Sequence, residues 1–199
     1  MKRKQKREQT KRLLLDAVKD LIGEKGCTNT TLNDIMERSG LSKGAIFHYV
    51  NSKDELFSWV LKERLGEINQ RFFNTASQRK SFEEPMHEIT ARLSDLENPK
   101  DPGNQVLMYL LGKSDQPVVK KILQQYYEQA VHMSKLWIVA GQEAGVIPQF
   151  IDADKTAELF MLISFGLRMR SAIDSNSYFF HNKDFAELMS SMLQPKEER

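Results

Sequence analysis

Residues 30–56 read TTLNDIMERSGLSKGAIFHYVNSKDEL, and the fold turns on where helices start and stop within them. Thr31, followed three residues later by Asp34, is a capping-box pattern that opens a helix of about two turns, with Leu32, Ile35 and Met36 facing inward. Gly40 supplies the left-handed backbone that ends this helix, and Ser42 caps a third one beginning at Lys43. At about 100° per residue, Ile46 and Val50 share the inner face of that third helix, with Leu41 entering from the turn. Gly44 and His48 point the opposite way, with Lys43 and Phe47 on one flank and Ala45 and Tyr49 on the other. Ser52 and Glu55 form a second capping box, so a fourth helix starts there and carries Leu56, Trp59, Val60, Ile68 and Phe72. The stretch is a tight helix-turn-helix.

The outward face of residues 43–50 is small at its start and polar or aromatic further on. A helix laid in the DNA major groove brings its first turn close to base edges, which favours Gly44 and Ala45. It also needs donors and methyl-contacting groups, here Lys43, His48 and the Phe47 ring. The same pattern has a plain structural reading, because short helical hairpins with a glycine turn occur throughout all-α proteins and Phe47 can serve as core. Charge bears on the choice. Through Lys53 there are 12 lysines and arginines against 6 acidic residues, and after it 17 against 21, so a basic end of +6 and an acidic remainder of −4 make up the overall +2. The opening MKRKQKR holds five of these basic residues, as a solvated tail or as an arm that touches phosphate. Lys53, at the start of the fourth helix, is placed for a backbone contact.

Outward from this stretch the chain stays helical. Leu14, Ala17, Val18, Leu21 and Ile22 recur at steps of three and four, which predicts an amphipathic helix over about 7–25, stopped by Gly26. Met86, Ile89 and Leu93 share a face until ENPKDPG breaks the pattern. Helices near 104–113, 117–144 and 154–173 follow, the last with Asp154 as N-cap, and Phe185, Leu188, Met189, Met192 and Leu193 mark a final one. With no β-type alternation and no internal repeat, the fold class is all-α, with eight or nine helices. The 40% hydrophobic content among 199 residues furnishes a core. One cysteine, Cys27, and four scattered histidines give no disulfide, no zinc-type spacing and no metal or cofactor expectation. The expected setting is soluble and cytoplasmic, since neither a signal peptide nor a span of roughly 18 apolar residues is visible.

From Leu14 to Phe57 the text LLDAVKDLIGEKGCTNTTLNDIMERSGLSKGAIFHYVNSKDELF resembles the N-terminal domain of the TetR family of bacterial transcriptional regulators. The resemblance rests on the apolar spacing of the first helix, EKG, the paired threonines, GLSKG and the aromatic cluster before SKDEL, and it covers about 45 of the 199 residues. It implies a DNA-binding domain over 1–53 and a helical effector-binding and dimerisation domain over 54–199. By the same resemblance Thr31 lies against phosphate, and Ser42, Lys43, Gly44 and Ala45 open the recognition helix. His48 and Tyr49 make polar and aromatic contacts, and Lys53 holds the DNA backbone. The family usually has tyrosine where this chain has Phe47, and aromatic residues at Cys27 and Val50. The missing hydroxyl at 47 removes one phosphate hydrogen bond and leaves stacking or thymine-methyl contact.

The family pattern further implies a homodimer through the last two helices, a palindromic double-stranded DNA operator, and a small-molecule effector that releases it, repression being the usual mode. The residues agree, because 154–173 is apolar almost all round, with Phe160, Met161, Leu162, Ile163, Phe165, Leu167 and Met169, and so needs two faces covered. A central helix in a monomeric bundle would also cover them. Candidate effector contacts are Met108, Tyr126, Trp137, Phe160 and Phe165, residue types that equally build ordinary core. Arg168 and Arg170 in that apolar helix face either an acidic effector, the surface, or a partner subunit. Two other classes stay open on the residues alone. A helical protein-interaction module would use 41–57 to dock a partner, and a small all-α enzyme would use His87 beside Glu88, or His132. For the enzyme there is no Gly-rich phosphate loop, G-x-S-x-G or H-E-x-x-H.

Overall fold

The computed structural model describes residues 2–76, 83–173 and 178–194. Among them run nine α-helices: α1 Lys2–Asn29, α2 Leu32–Ser39, α3 Lys43–Phe47, α4 Lys53–Ala76, α5 Glu83–Thr90, α6 Pro102–Leu111, α7 Pro117–Glu143, α8 Ala153–Ile173 and α9 Asn182–Leu193, with a 3₁₀ turn at Leu93–Glu97. No strand is present among the described residues, so the all-α expectation holds. The chain divides into two compact units, Met1–Glu63 with Lys100–Gln124, and Arg64–Pro99 with Gln125–Arg199. The expected functional division after residue 53 falls inside the first unit, at the start of α4.

In the first unit the sequence patterns become buried stripes. Leu14, Val18 and Ile22 on α1, Ile35 on α2, Ile46 on α3, Leu56 and Phe57 on α4, and Val106, Leu107 and Leu110 on α6 are all fully enclosed. Each such side chain contributes roughly 1.5–3 kcal/mol of transfer free energy. The caps form as expected. Thr31 Oγ1 accepts from the Asp34 amide at 3.2 Å while the Asp34 carboxylate accepts from the Thr31 amide at 2.6 Å. Gly40 ends α2 with φ +66°, and Ser42 Oγ accepts from the Ala45 amide at 3.3 Å. The Ser52 hydroxyl accepts from the Glu55 amide at 3.0 Å, whereas the Glu55 carboxylate reaches the Asn51 amide at 2.7 Å.

The boundaries of three helices differ from the expectation. The first helix begins at Lys2 rather than near residue 7, and Gly26, at φ +76° and ψ +167°, kinks it instead of stopping it, so one more turn runs to Asn29. α3 closes at Phe47 rather than near Val50, because Tyr49 N–H donates to the Ile46 carbonyl and the coil tightens into a turn. Pro102 begins α6 two residues before the expected start, since proline at the first helical position gives up only an amide that would have no helical partner, and Asp101 accepts from Asn104 N–H at 3.0 Å.

The second unit is centred on Phe72, Met86, Ile89, Leu93, Ile138, Ile147, Phe160, Leu167, Phe185 and Met189. Gly141 on α7 lies so close to Ile147 that a Cβ there would collide with it. Asp154 does not cap α8. Asp152 does, its Oδ1 accepting from the amides of Asp154 and Lys155, both at 3.1 Å, while Asp154 pairs with Lys135 at 2.7 Å. On α9, Phe185, Met189 and Leu193 are buried. None of the described helices is long and apolar enough to cross a membrane.

Candidate functional site

α3 is held from beneath by Ile46, fully buried, and by Val50, 3% exposed. Above these anchors Ser42, Lys43, Gly44, Phe47 and His48 are exposed, and Ala45 and Tyr49 are half-buried. Phe47 is therefore not core: its ring is 40% exposed, with the Lys43 ammonium 6.0 Å from its centroid. His48 and Tyr49 meet edge to face, their centroids 5.3 Å apart. A Cβ built on Gly44 meets nothing within 4 Å, so packing inside the protein does not call for a glycine there. The exposed set gives one small surface a cation, an imidazole, a hydroxyl, an aromatic face and a gap at Gly44, which is the equipment for a close approach to base edges.

Two of the expected contact residues are already engaged. Thr31 is exposed, but its hydroxyl donates to Asp34 at 2.6 Å, and Lys25 holds the same carboxylate at 2.7 Å. The Lys25 ammonium first, and the Thr31 hydrogen bonds second, keep the Asp34 carboxyl far below the usual carboxylate range. Lys53 donates to the Thr30 carbonyl at 2.8 Å and the Cys27 carbonyl at 3.4 Å, closing the end of α1. Its ammonium also sits 5.2 Å and 5.3 Å from the Phe57 and Tyr109 ring centroids. Burial is the main reason its pKa lies below the usual lysine value. Buried Cys27 has its thiol pushed up to about 12 by the same loss of water. The supporting groups Tyr109 and Lys113, the latter paired with Asp54, were not read from the sequence, since they come from α6 and the turn after it, far along the chain.

A second candidate site lies in the second unit. A cavity of about 80 Å³ is lined by Tyr126, Trp137, Phe160 and Arg168 from the expected set, and also by Arg64 and Met189. Arg168 is 6% exposed and Tyr126 2%. Arg168 Nη1 donates to the Tyr126 hydroxyl at 3.0 Å. Trp137 Nε1 donates to Asn69 at 3.1 Å. Phe165 stands apart from the lining, its ring tilted against that of Tyr126 at 6.1 Å and edge to face with that of Tyr127 at 5.5 Å. Met108 is on α6, in the first unit, and does not line this cavity. Arg170 pairs with Glu97 at 2.6 Å. Arg64, missed in the sequence, lies on the inner face of α4 and pairs with Asp95 at 3.0 Å; a partner 31 residues away leaves no local signal.

Residues 14–60 match the model of bacterial regulatory proteins of the tetR family. The uncharacterized HTH-type transcriptional regulator YfiR of Bacillus subtilis (strain 168) is 22% identical over 170 residues, 84% of this chain and 79% of that protein. A TetR transcription regulator from Haloarcula marismortui ATCC 43049 superposes with a TM-score of 0.65 at 20% identity, covering 94% of this chain and 97% of that one. Residues 14–60 are a tetR-family domain, and the chain as a whole has the fold of TetR-family proteins. SmeT, solved as a complex with triclosan, shares the fold at a TM-score of 0.62 and 17% identity, over 92% of this chain and 90% of SmeT. The chain's domain match and its relatives are those of helix-turn-helix transcriptional regulators, and the matched residues end within α4.

Proposed function

We propose that this TetR-family regulator binds a palindromic DNA operator as a homodimer, acts as a repressor in the cytoplasm, and leaves the operator when a small molecule enters the second unit. The observation that carries the reading is the exposed face of α3, where Lys43, Gly44, Phe47 and His48 stand clear of the protein while Ile46 and Val50 fix the helix below them. Phosphate contacts come from the basic N-terminal third, with Ser42 and Thr31 at the helix starts; Lys53 joins them only by exchanging its carbonyl partners for phosphate. Support for the dimer comes from α8, where Leu159, Leu162, Met169 and Ile173 are 38%, 56%, 56% and 73% exposed. With Gly166 between them they form one stripe at helical spacing. Two recognition helices about 34 Å apart then read successive major grooves, so a two-fold protein implies a two-fold operator. Effector response is argued from the cavity in the second unit and from the small-molecule complex of SmeT. An effector that fits only the conformation in which the recognition helices are misplaced lowers DNA affinity by differential binding.

The experiment is selection of bound DNA from a random duplex pool with the wild type, Lys43→Ala and His48→Ala. A palindrome recovered by the wild type and lost by both variants is the expected result, with affinity falling steeply as salt rises. Equal enrichment by all three proteins would remove these side chains from base readout.

A further inference from the structure

Arg168 is a cation enclosed in protein without an anion. Its side chain lines the cavity, Nη1 is spent on the neutral Tyr126 hydroxyl, and Nε is buried with no hydrogen-bond partner. The other two arginines of the lining are each matched by a carboxylate, Arg64 by Asp95 at 3.0 Å and Arg92 by Glu67 at 3.6 Å. Among the described residues no carboxylate reaches Arg168. Being 6% exposed and turned into its own unit, it is also closed to a salt bridge with a partner subunit. A buried guanidinium left in this state is costly, and an anion placed against it removes the cost. The Tyr126 hydroxyl accepts from Arg168 and keeps its own O–H, so two donors, Arg168 Nε–H and Tyr126 O–H, are free to meet one acceptor group. Around them much of the cavity wall is apolar, with Trp137, Phe160, Met161 and Met189, and Ser134 and Ser164 also line it.

We infer that the effector is a small organic carboxylate, its two oxygens held by Arg168 and Tyr126 and its short aliphatic or single-ring body lying against Trp137 and Phe160. The inference rests on the reading of the second unit as an effector-binding domain and names the class of effector. A volume of about 80 Å³ is far below the roughly 300 Å³ at which drug-sized sites begin, so the ligand is small. Carboxylate is favoured over a neutral polar group because only an anion compensates the guanidinium charge.

The test is calorimetric titration of the full chain with butanoate and benzoate, each beside its neutral isostere, butanamide and benzamide. At least one acid binds, at least tenfold more tightly than its amide; Arg168→Met removes that preference, and Tyr126→Phe, which keeps the ring, weakens the acid several-fold and leaves the amide unchanged. The acid-to-amide ratio of the wild type needs no variant to fold. Amides binding as tightly as acids, no binding of either acid, or unchanged acid binding in folded Arg168→Met overturns the inference. A gel shift with the selected operator on the same preparation separates the two readings. Operator binding without acid binding sinks the carboxylate alone, release of operator by an amide keeps the effector and discards the anion, and absence of operator binding sinks the regulator itself.

Discussion

Gly44 separates the demands of folding from those of binding. Nothing lies within 4 Å of where its Cβ would stand, and its backbone is helical. Gly40, in the same unit, has an internal reason, since its φ of +66° ends α2. In the proposed reading the reason at Gly44 lies outside the protein, because a methyl on this face would separate the backbone from base edges that approach to contact distance. Gly44→Ala therefore raises stability, by up to about 1 kcal/mol from the reduced freedom of the unfolded chain, while operator affinity falls by more than tenfold. Urea titration and a gel shift on one preparation check both signs. A variant that is stabilised and still binds at wild-type strength would show that α3 docks by another face. Phe47 makes the complementary point, since an aromatic ring 40% exposed on a helix otherwise anchored by buried Ile46 is spare to the core and available to a thymine methyl or a sugar.

At the scale of elements, what the sequence revealed depended on how local the chemistry was. The start of α2 and of α3 was legible because each cap and its partner lie three residues apart, Thr31 with Asp34 and Ser42 with Ala45. The end of α3 was not, because the apolar spacing of Ile46 and Val50 is satisfied equally by a helix and by the tighter turn that forms. The start of α8 was misplaced at Asp154, because locating it needed the register that Ala157 and Phe160 impose by burial. Asp152 caps it, with both amide bonds. Asp152→Ala should clearly lower the midpoint of thermal or chemical unfolding, as loss of an N-cap does. Asp154→Ala, which breaks a surface pair whose carboxylate is 72% exposed, should barely move it. The reverse order would mean that the α8 N-terminus is held by the Lys135 pair instead. The cavity was the least legible feature. Tyr126 and Arg168 are 42 residues apart on helices rich in apolar residues, where a buried arginine reads like any other.

For the whole molecule the proposed dimer rests on the exposed stripe of α8. In that dimer a two-fold axis passing through Leu159, Leu162, Gly166, Met169 and Ile173 would bury each position once in each subunit, so every substitution there counts twice in the dimer. Burying one such side chain contributes roughly 1.5–3 kcal/mol, and a carboxylate without a partner in the same place costs more than that gain. Leu162→Glu combined with Met169→Glu therefore converts a dimer into a monomer at micromolar concentration by sedimentation, with the helical circular dichroism unchanged because both positions are exposed in the subunit. Operator affinity falls with it, since a monomer grips one half-site and forfeits the effective concentration that the second recognition helix enjoys once the first is bound. A single half-site should then compete for the variant as well as the full palindrome does, whereas for the wild type it competes poorly. A doubly substituted protein that still sediments as a dimer would move the two-fold axis off this stripe, and with it the spacing of the two α3 helices on which palindrome recognition depends.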